Sequence, residues 1–272
     1  MDKVVQRIFA GKSMTDAKIT ETLEKLCKDK IEPFIQQRYE ELAKTMNAYA
    51  QKMRMKRESI CSKGIWTAKK RYMLNVMMGE EGVLLKEPEL KIMGIETARS
   101  STPQIVRKAL KAAISLIMNQ GEKAVQDFVE QFKDQFDQAG IDDIAFPRSV
   151  SGMDKYSCKT GVYKKSTPIA VKGSLLFNHF LYENGLEKKY RPIGEAEKIK
   201  FVYLKEPNPL SFVSGNEHVI SFGNQIPKEL HLDKYVDRDL QFEKSFEDPL
   251  KTILDVLQWS IRKTPSLEDF FV

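Results

Sequence analysis

Two apolar stripes at helical spacing follow one another in the middle of the chain. The first is preceded by Thr102, a good N-cap, and by Pro103, which suits the first helical position, and it stops before Gly121. The second stops before Gly140. The stripes consist of Ile105, Val106, Leu110, Ala113, Ile114, Ile117 and Met118, then Val125, Phe128, Val129, Phe132 and Phe136. They predict two antiparallel helices joined by a short turn, with these faces packed as core rather than holding a cofactor.

The preceding sequence predicts a helix and then strands. Residues 14–50 carry apolar positions three and four apart, and Pro33 predicts a break or kink just before it. From about residue 55 the pattern changes to short β-like runs, with residues 79–82 as a hairpin turn. The predicted strands cover residues 59–61, 71–78, 83–86 and 90–93.

The following sequence is mixed until a last helix. Residues 141–245 contain short strands, such as 199–204, separated by Gly, Asn and Pro. Asp248 as cap and Pro249 in the first turn predict a final helix that runs to Trp259. We therefore predict an α+β chain, with a composition change near residues 96–101 as the candidate domain boundary.

Composition excludes several classes of protein. Hydrophobic residues make up 42% of the 272 residues and charged residues 30%, as in globular proteins, and no run of 18 apolar residues predicts a membrane span. The three cysteines are scattered and have no histidines near them, which argues against a disulfide framework and against zinc. We expect a reducing, cytoplasmic location, meaning the host cytoplasm if a phage encodes the chain.

Positive charge is concentrated in two stretches. Residues 52–71 hold eight basic side chains and one acid, and residues 148–191 hold nine basic side chains and three acids. The net charge of the whole chain is only +6, so the remainder is acidic. Such stretches are typical either of a polyanion-binding surface or of ordinary solvated faces.

The first basic stretch contains a compact motif. Lys63 is followed by Lys69, Lys70, Arg71 and Tyr72, three consecutive cations and an aromatic residue that lead into a predicted strand. If all four belonged to that strand, alternation would send Lys70 and Tyr72 to one face, and Lys69 and Arg71 to the other. One face could then meet a duplex while the other meets phosphates or protein.

Several runs resemble family B DNA polymerases, above all those of T-even-like phages. The runs occur in the family's order over residues 1–272. They are Lys69-Lys70-Arg71-Tyr72, Leu90-Lys91-Ile92-Met93-Gly94-Ile95-Glu96-Thr97, Ser100-Ser101-Thr102-Pro103, Pro168-Ile169-Ala170-Val171-Lys172-Gly173 and Phe242-Glu243-Lys244-Ser245-Phe246-Glu247-Asp248-Pro249-Leu250. The resemblance implies a palm remainder of helix plus antiparallel strands over residues 1–98. A largely helical thumb would follow over residues 99–262.

The resemblance also implies roles for individual residues. Contact with the primer end from the minor-groove side carries over to Lys69, Lys70 and Tyr72, and phosphate contact carries over to Arg71. Lys63 joins this candidate DNA-binding set from the same stretch. Lys172 and Lys244 match thumb cations that touch the primer strand. Tyr72 as a core residue and Lys244 as an ordinary surface lysine are the alternatives.

The motifs that hold the family's catalytic metal ions are absent from the sequence. The family binds two Mg²⁺ through palm aspartates in an Asp-x-x-Ser-Leu-Tyr-Pro motif and an Asp-Thr-Asp-Ser motif, and neither occurs here. We predict no catalytic residue in this chain. Glu58 is the one accessory metal candidate, although Lys56 replaces its companion acid. In the thumb match, Ala170 replaces a histidine that the family often carries. Asp237-Arg238-Asp239 is interpreted as a solvated turn.

Residues 263–272 resemble the clamp-binding tail of replicative polymerases. Leu267, Phe270 and Phe271 would share one face of a helical turn, the spacing with which short peptides fill an apolar pocket. Arg262-Lys263-Thr264-Pro265 is interpreted as the linker before it. The alternative is a tail folded back on its own thumb.

These observations predict the C-terminal subunit of a split replicative polymerase, inactive alone. Its partners would be an N-terminal polymerase subunit that supplies most Mg²⁺ ligands, primer–template DNA and a sliding clamp, with no membrane. We expect a separate gene product, although an engineered fragment would look similar. The rival hypothesis is a non-enzymatic DNA-binding or clamp-associated module derived from a polymerase. A phage structural protein would predict neither the motif order nor the tail.

Overall fold

The chain folds into two compact units, Met1–Gly94 and Ile95–Val272. The computed structural model describes residues 15–158, 161–210 and 218–263. Each unit combines helices with a small antiparallel sheet, which confirms the predicted α+β class. The boundaries that we predict for palm, thumb and tail, after residues 98 and 262, stay predictions. Within the described ranges, no helix is long and apolar enough to cross a membrane.

In the described part of the first unit, the first element is a helix that a π turn interrupts. Its elements are α1 (Asp16–Leu26), the π turn Cys27–Ile31, α2 (Glu32–Thr45), β1 (Ile60–Ala68), β2 (Arg71–Met78) and β3 (Leu84–Met93). The helical prediction is confirmed, and the break expected before Pro33 is this π turn. Proline lacks an N–H and crowds the carbonyl four residues earlier, so a wider turn at that point accommodates it.

The three strands form a sheet in the order β1-β2-β3, with both pairs antiparallel. The predicted turn over residues 79–82 is confirmed by the Gly82 N–H, which donates to the Gly79 carbonyl at 3.1 Å. Two predicted strands, 83–86 and 90–93, are in fact the single strand β3. Pro88 lies where the pairing of β3 with β2 shifts register, between Leu84 and Glu89, and such an irregularity tolerates a residue that has no N–H. β1 is much longer than predicted.

The second unit holds the two predicted central helices and a second sheet. Its elements are α3 (Gln104–Asn119), α4 (Glu122–Gln138), α5 (Ile141–Ile144), β4 (Phe146–Ser149), α6 (Met153–Tyr156), α7 (Ile169–Glu183), β5 (Lys198–Tyr203), β6 (Val219–Phe222), α8 (Arg238–Phe242), the π turn Glu243–Glu247 and α9 (Asp248–Leu257), with short 3₁₀ turns at Glu96–Ala98, Lys228–Leu230 and Asp233–Tyr235. The predicted capping by Thr102 is wrong: Pro103 occupies the N-cap position and the helix begins at Gln104.

The core of the second unit is rich in phenylalanine. Phe132 and Phe136 of α4 pack against Phe242 and Phe246, with ring centroids 4.7–5.8 Å apart across the two elements. Helix α7 packs on β6, and Gly173 is the point of closest approach. A Cβ at Gly173 would lie 2.4 Å from the Ser221 hydroxyl, so only glycine permits this contact.

The last helical segment starts ten residues earlier than predicted. Asp237 is its N-cap, with the side chain accepting from the Leu240 N–H at 3.0 Å, so the interpretation of residues 237–239 as a turn is wrong. The backbone passes through Glu243–Glu247 as a π turn and continues into α9. Asp248 is therefore not a cap, and α9 ends at Leu257, before Trp259.

Candidate nucleic-acid interface

Lys69 and Lys70 form the two-residue turn between β1 and β2. β1 ends at Ala68 and β2 begins at Arg71, with these two residues paired across the hairpin. Both lysine side chains are exposed. The predicted alternation of Lys69 to Tyr72 along one strand is wrong, because the first two residues reverse the chain instead. We call this feature the Lys69–Lys70 turn.

The backbone of Gly94 packs against the Lys69–Lys70 turn. Lys70 has a left-handed backbone with φ of 64°, which is uncommon for a residue with a Cβ. The backbone of Gly94, also left-handed with φ of 69°, lies directly against the Lys70 carbonyl: an added Cβ would be 2.2 Å from that oxygen. The Lys69-Lys70-Arg71-Tyr72 run therefore contacts Gly94, which belongs to the next of the runs that resemble the family.

Beside this turn, an aromatic pair crosses the hairpin. Trp66 is the cross-strand partner of Tyr72, and Gly64 is the partner of Leu74. The Trp66 ring lies over Gly64, where a Cβ would come within 2.7 Å of the indole. Trp66 is 62% exposed, whereas Tyr72 is half-buried. Trp66 is not among the predicted residues, although Gly64 two residues before it is a signal of a large side chain lying across a strand.

The other predicted residues of the first unit, Lys63, Arg71 and Glu58, each have different surroundings. Lys63 is exposed on β1 and is paired with Asn75, while Arg71 is half-buried at the start of β2. Glu58 forms an ion pair with Lys91, and that hydrogen bond lowers the pKa of the Glu58 carboxyl. Within the described part of the chain, no group of three His, Cys, Asp or Glu side chains is arranged to hold a metal ion.

One basic residue of the first stretch is structural. Arg57 makes an ion pair with Glu24, both side chains being about nine-tenths buried, and it donates to the Gly79 carbonyl at 2.8 Å. The hydrogen bond from Arg57, and then that from Lys28, lowers the pKa of Glu24. This arginine therefore stabilises the fold and is not available to a polyanion.

The two predicted cations of the second unit are both engaged with neighbouring side chains. Lys172, half-buried on α7, has its ammonium 4.7 Å from the centroid of the Tyr163 ring. Lys244 lies in the π turn between Glu243 at 2.8 Å and Asp248 at 3.0 Å. Hydrogen bonds to these two carboxylates raise the pKa of Lys244. Two of the three N–H groups of the Lys244 ammonium are therefore donated to carboxylates of its own helical segment.

Leu267, Phe270 and Phe271 lie outside the described residues, but the segment before them is docked on α4. The Ser260 N–H donates to Glu122 at 2.6 Å, and the Gln126 amide donates to the Ser260 carbonyl at 3.0 Å. Lys263 lies 2.7 Å from Asp127 and 2.8 Å from Glu130. Arg262 and Lys263, the described half of the predicted linker, are therefore held on the second unit by ion pairs.

Comparison with known proteins gives two extended matches. The DNA-directed DNA polymerase of Enterobacteria phage T4 is 31% identical over 283 aligned residues, covering 100% of this chain and 30% of the phage protein. That of Escherichia phage RB69 is 32% identical over 283 residues, covering 99% of this chain and 30% of the phage protein. The chain is homologous to phage DNA polymerases. No family model matches it.

This homology confirms the resemblance to the polymerases of T-even-like phages and supports a role related to DNA polymerase. The chain spans about 30% of the length of these polymerase relatives. Neither the activity nor the partners of a whole polymerase follow from a match of that extent.

Proposed function

We propose that the chain is the C-terminal subunit of a split family B replicative DNA polymerase. It would grip primer–template duplex, bind a sliding clamp through its last residues, and rely on a partner chain for the catalytic aspartates. Two facts support this division of labour. The chain is similar to phage DNA polymerases over its whole length, and the given residues contain neither of the family's metal-binding aspartate motifs.

The observation that carries the DNA-binding part is the Lys69–Lys70 turn. Two exposed lysines follow one another at the tip of a hairpin, and the backbone of Gly94 packs against the Lys70 carbonyl. The exposed indole of Trp66 is close by in the sheet. Cations that bind phosphates position a protein on DNA without reading its sequence, which suits an enzyme that must accept any template.

The proposed Mg²⁺ ions belong with the partner chain. Two-metal phosphoryl transfer needs carboxylates that converge on both ions. Glu58 does not fit that role alone, because it is largely exposed and its charge is paired with Lys91. We therefore assign this chain the duplex-binding surface and assign it no step of the chemistry.

Primer extension tests the proposal. The chain purified alone should extend no primer in Mg²⁺, whereas mixing it with the polymerase polypeptide from the same genome that carries the Asp-Thr-Asp-Ser motif should restore extension. A partner preparation with its motif aspartates changed to asparagine is the matched control. Robust extension by this chain alone would contradict the proposal.

The rival function, a non-enzymatic DNA-binding or clamp-associated module, predicts DNA binding without rescue of extension. The reading frame upstream in the genome separates the two most cheaply, since a frame that ends near Tyr-x-Asp-Thr-Asp-Ser supports the split enzyme. If no such polypeptide exists and DNA binding persists, the module is the better description.

A further inference from the structure

Three side chains form one row across the sheet of the first unit. Trp66 of β1 is paired with Tyr72 of β2, and Tyr72 is paired with Met93 of β3. Directly paired residues of an antiparallel sheet point to the same face, so the three side chains lie side by side. Trp66 is 62% exposed, Met93 is 46% exposed and Tyr72 is half-buried. We call these residues the Trp66 row.

The indole of Trp66 lies along the surface of the sheet. Two carbons of its six-membered ring, Cη2 and Cζ3, would be 2.7 and 2.8 Å from a Cβ at Gly64, and Cδ2 of Leu74 would be 2.9 Å from the same point. The ring is thus supported by Gly64 and by the buried Leu74, while most of its surface is open to solvent. A supported aromatic ring with an open face is the kind of surface on which a nucleobase stacks.

Positive charge adjoins the Trp66 row at the Lys69–Lys70 turn. Trp66 precedes Lys69 by three residues, which an extended strand spans in at most about 10 Å. Among the described residues, no carboxylate lies within ion-pair distance of either lysine of the turn. Lys91, in the next row of the sheet, is by contrast paired with Glu58. The turn therefore offers uncompensated positive charge beside an open aromatic ring.

We propose that the Trp66 row binds an unpaired nucleotide of DNA, with the base stacked on the indole and a neighbouring phosphate at the Lys69–Lys70 turn. This inference rests on the proposed function. An aromatic ring alone would suit many apolar partners and a lysine pair alone many anions, whereas a nucleotide supplies both a planar ring and a phosphate. The base must be unpaired, because the faces of bases inside a duplex are covered by the neighbouring base pairs.

The test measures the affinity of the full chain for three labelled DNAs by fluorescence anisotropy at low salt. One is a blunt duplex, one carries a single-stranded thymidine overhang, and one carries an abasic overhang of the same length. The two overhangs have equal numbers of phosphates, so the difference between their affinities reports contact with bases alone. The unmodified chain should bind the thymidine overhang about five- to 150-fold more tightly than the abasic overhang, which is the effect of stacking one base.

Trp66→Ala should remove this preference and leave the affinity for the blunt duplex unchanged, because it keeps both lysines of the turn. Trp66→Phe should retain most of the preference, since its ring also stacks. Tyr182→Ala is the matched control, because Tyr182 is likewise an aromatic residue with 62% exposure but lies on α7 of the second unit. It should bind all three DNAs like the unmodified chain. Circular dichroism should show equal secondary structure in all variants, since both positions are exposed.

Each outcome supports or overturns the inference. A preference for the thymidine overhang that is absent from the unmodified chain, or that survives Trp66→Ala, overturns it even when duplex binding holds and the proposed function stands. An equal loss of affinity for all three DNAs in Trp66→Ala would show that the indole supports the lysine turn without stacking on a base, which overturns it as well. Failure of the unmodified chain to bind any of the three DNAs would contradict the DNA-binding part of the proposed function too.

Discussion

Replacing Gly94 with alanine tests whether the shape of the Lys69–Lys70 turn matters for DNA binding. The new Cβ would lie 2.2 Å from the Lys70 carbonyl oxygen, where ordinary contacts begin at 3.4 Å, so the two backbones must separate by about 1 Å. A left-handed alanine costs about 1–2 kcal/mol, and forcing packed atoms apart costs about 1–3 kcal/mol more. We expect Gly94→Ala to lower the free energy of unfolding by about 2–5 kcal/mol, measured by urea denaturation.

Gly82→Ala is the matched control. Gly82 has a similar left-handed backbone, with φ of 75°, but its Cβ would meet only the ends of flexible side chains: a Glu24 carboxylate oxygen at 3.1 Å, the Lys28 ammonium at 3.5 Å and the Arg57 guanidinium at 4.0 Å. This variant should lose only the backbone contribution, about 1–2 kcal/mol. Gly82 lies in the β2–β3 turn, at the opposite end of β2 from Lys70.

The decisive comparison is primer–template affinity of the two variants under conditions where both are folded. Losing one charge-assisted contact costs about 1.5–3 kcal/mol, which corresponds to about a ten- to hundredfold change in Kd. Gly94→Ala should show a loss of that size and Gly82→Ala should not. Equal affinities in fluorescence anisotropy would refute the idea that the position of the lysine turn governs DNA binding.

Three other results are expected. Lys70→Ala should flatten the slope of log affinity against log salt by about one unit, with no dependence on DNA sequence; an unchanged slope would show that Lys70 contacts no phosphate. Deleting residues 266–272 should abolish clamp-stimulated long products in the reconstituted enzyme but leave basal extension intact, and the reverse pattern would place the tail in the thumb core. The hydrogen bond from Lys189 lowers the pKa of Glu229 from 4.5 to about 2. That interaction therefore stabilises the fold above about pH 4.5 and is lost as the pH falls toward 2. The free energy of unfolding of Glu229→Gln should be lower than that of the unmodified chain at pH 7, and the two should converge at pH 2.

The sequence pattern predicted the helices in which one face is buried and the other is exposed. Helices α3 and α4 bury one stripe each, so a periodicity of 3.6 residues is visible in the sequence. Helix α7 was missed because buried residues occur around much of its circumference, including Val171, Gly173, Ser174 and Leu176. A helix that is covered on most sides leaves no polar stripe to recognise.

A proline after a π turn misled the prediction of one helix boundary, that at Asp248-Pro249. Pro33 and Pro249 each lie two residues after a π turn, and the helical backbone continues past both. The sequence signal of Asp248-Pro249 is that of a helix start, and only the tertiary packing of Phe242 and Phe246 shows that the helix began earlier. Local propensity cannot reveal a turn whose extra residue is stabilised by contacts from another element.

The motif of the candidate interface was recognisable, but its geometry was not. Lys69 and Lys70 were identified as a pair, yet their place in a turn depends on where β1 ends, which is set by pairing with Arg71. Likewise, Lys244 is paired with Glu243 and Asp248 of its own helical segment, and that segment was predicted to start only at Asp248. Partners that depend on strand register or helix limits require the fold.

The docking of Ser260 and Lys263 on α4 limits how far the chain beyond them can extend. An extended backbone covers at most about 3.6 Å per residue, so four residues after Lys263 span at most about 14 Å and eight residues at most about 29 Å. Under the proposed function, a clamp pocket that accepts Leu267 and Phe271 must therefore lie within these distances of the Lys263 site on α4. Releasing the ion pairs of Lys263 with Asp127 and Glu130 would lengthen the segment that is free to extend from α4. The local concentration of the tail at that pocket would then be lower.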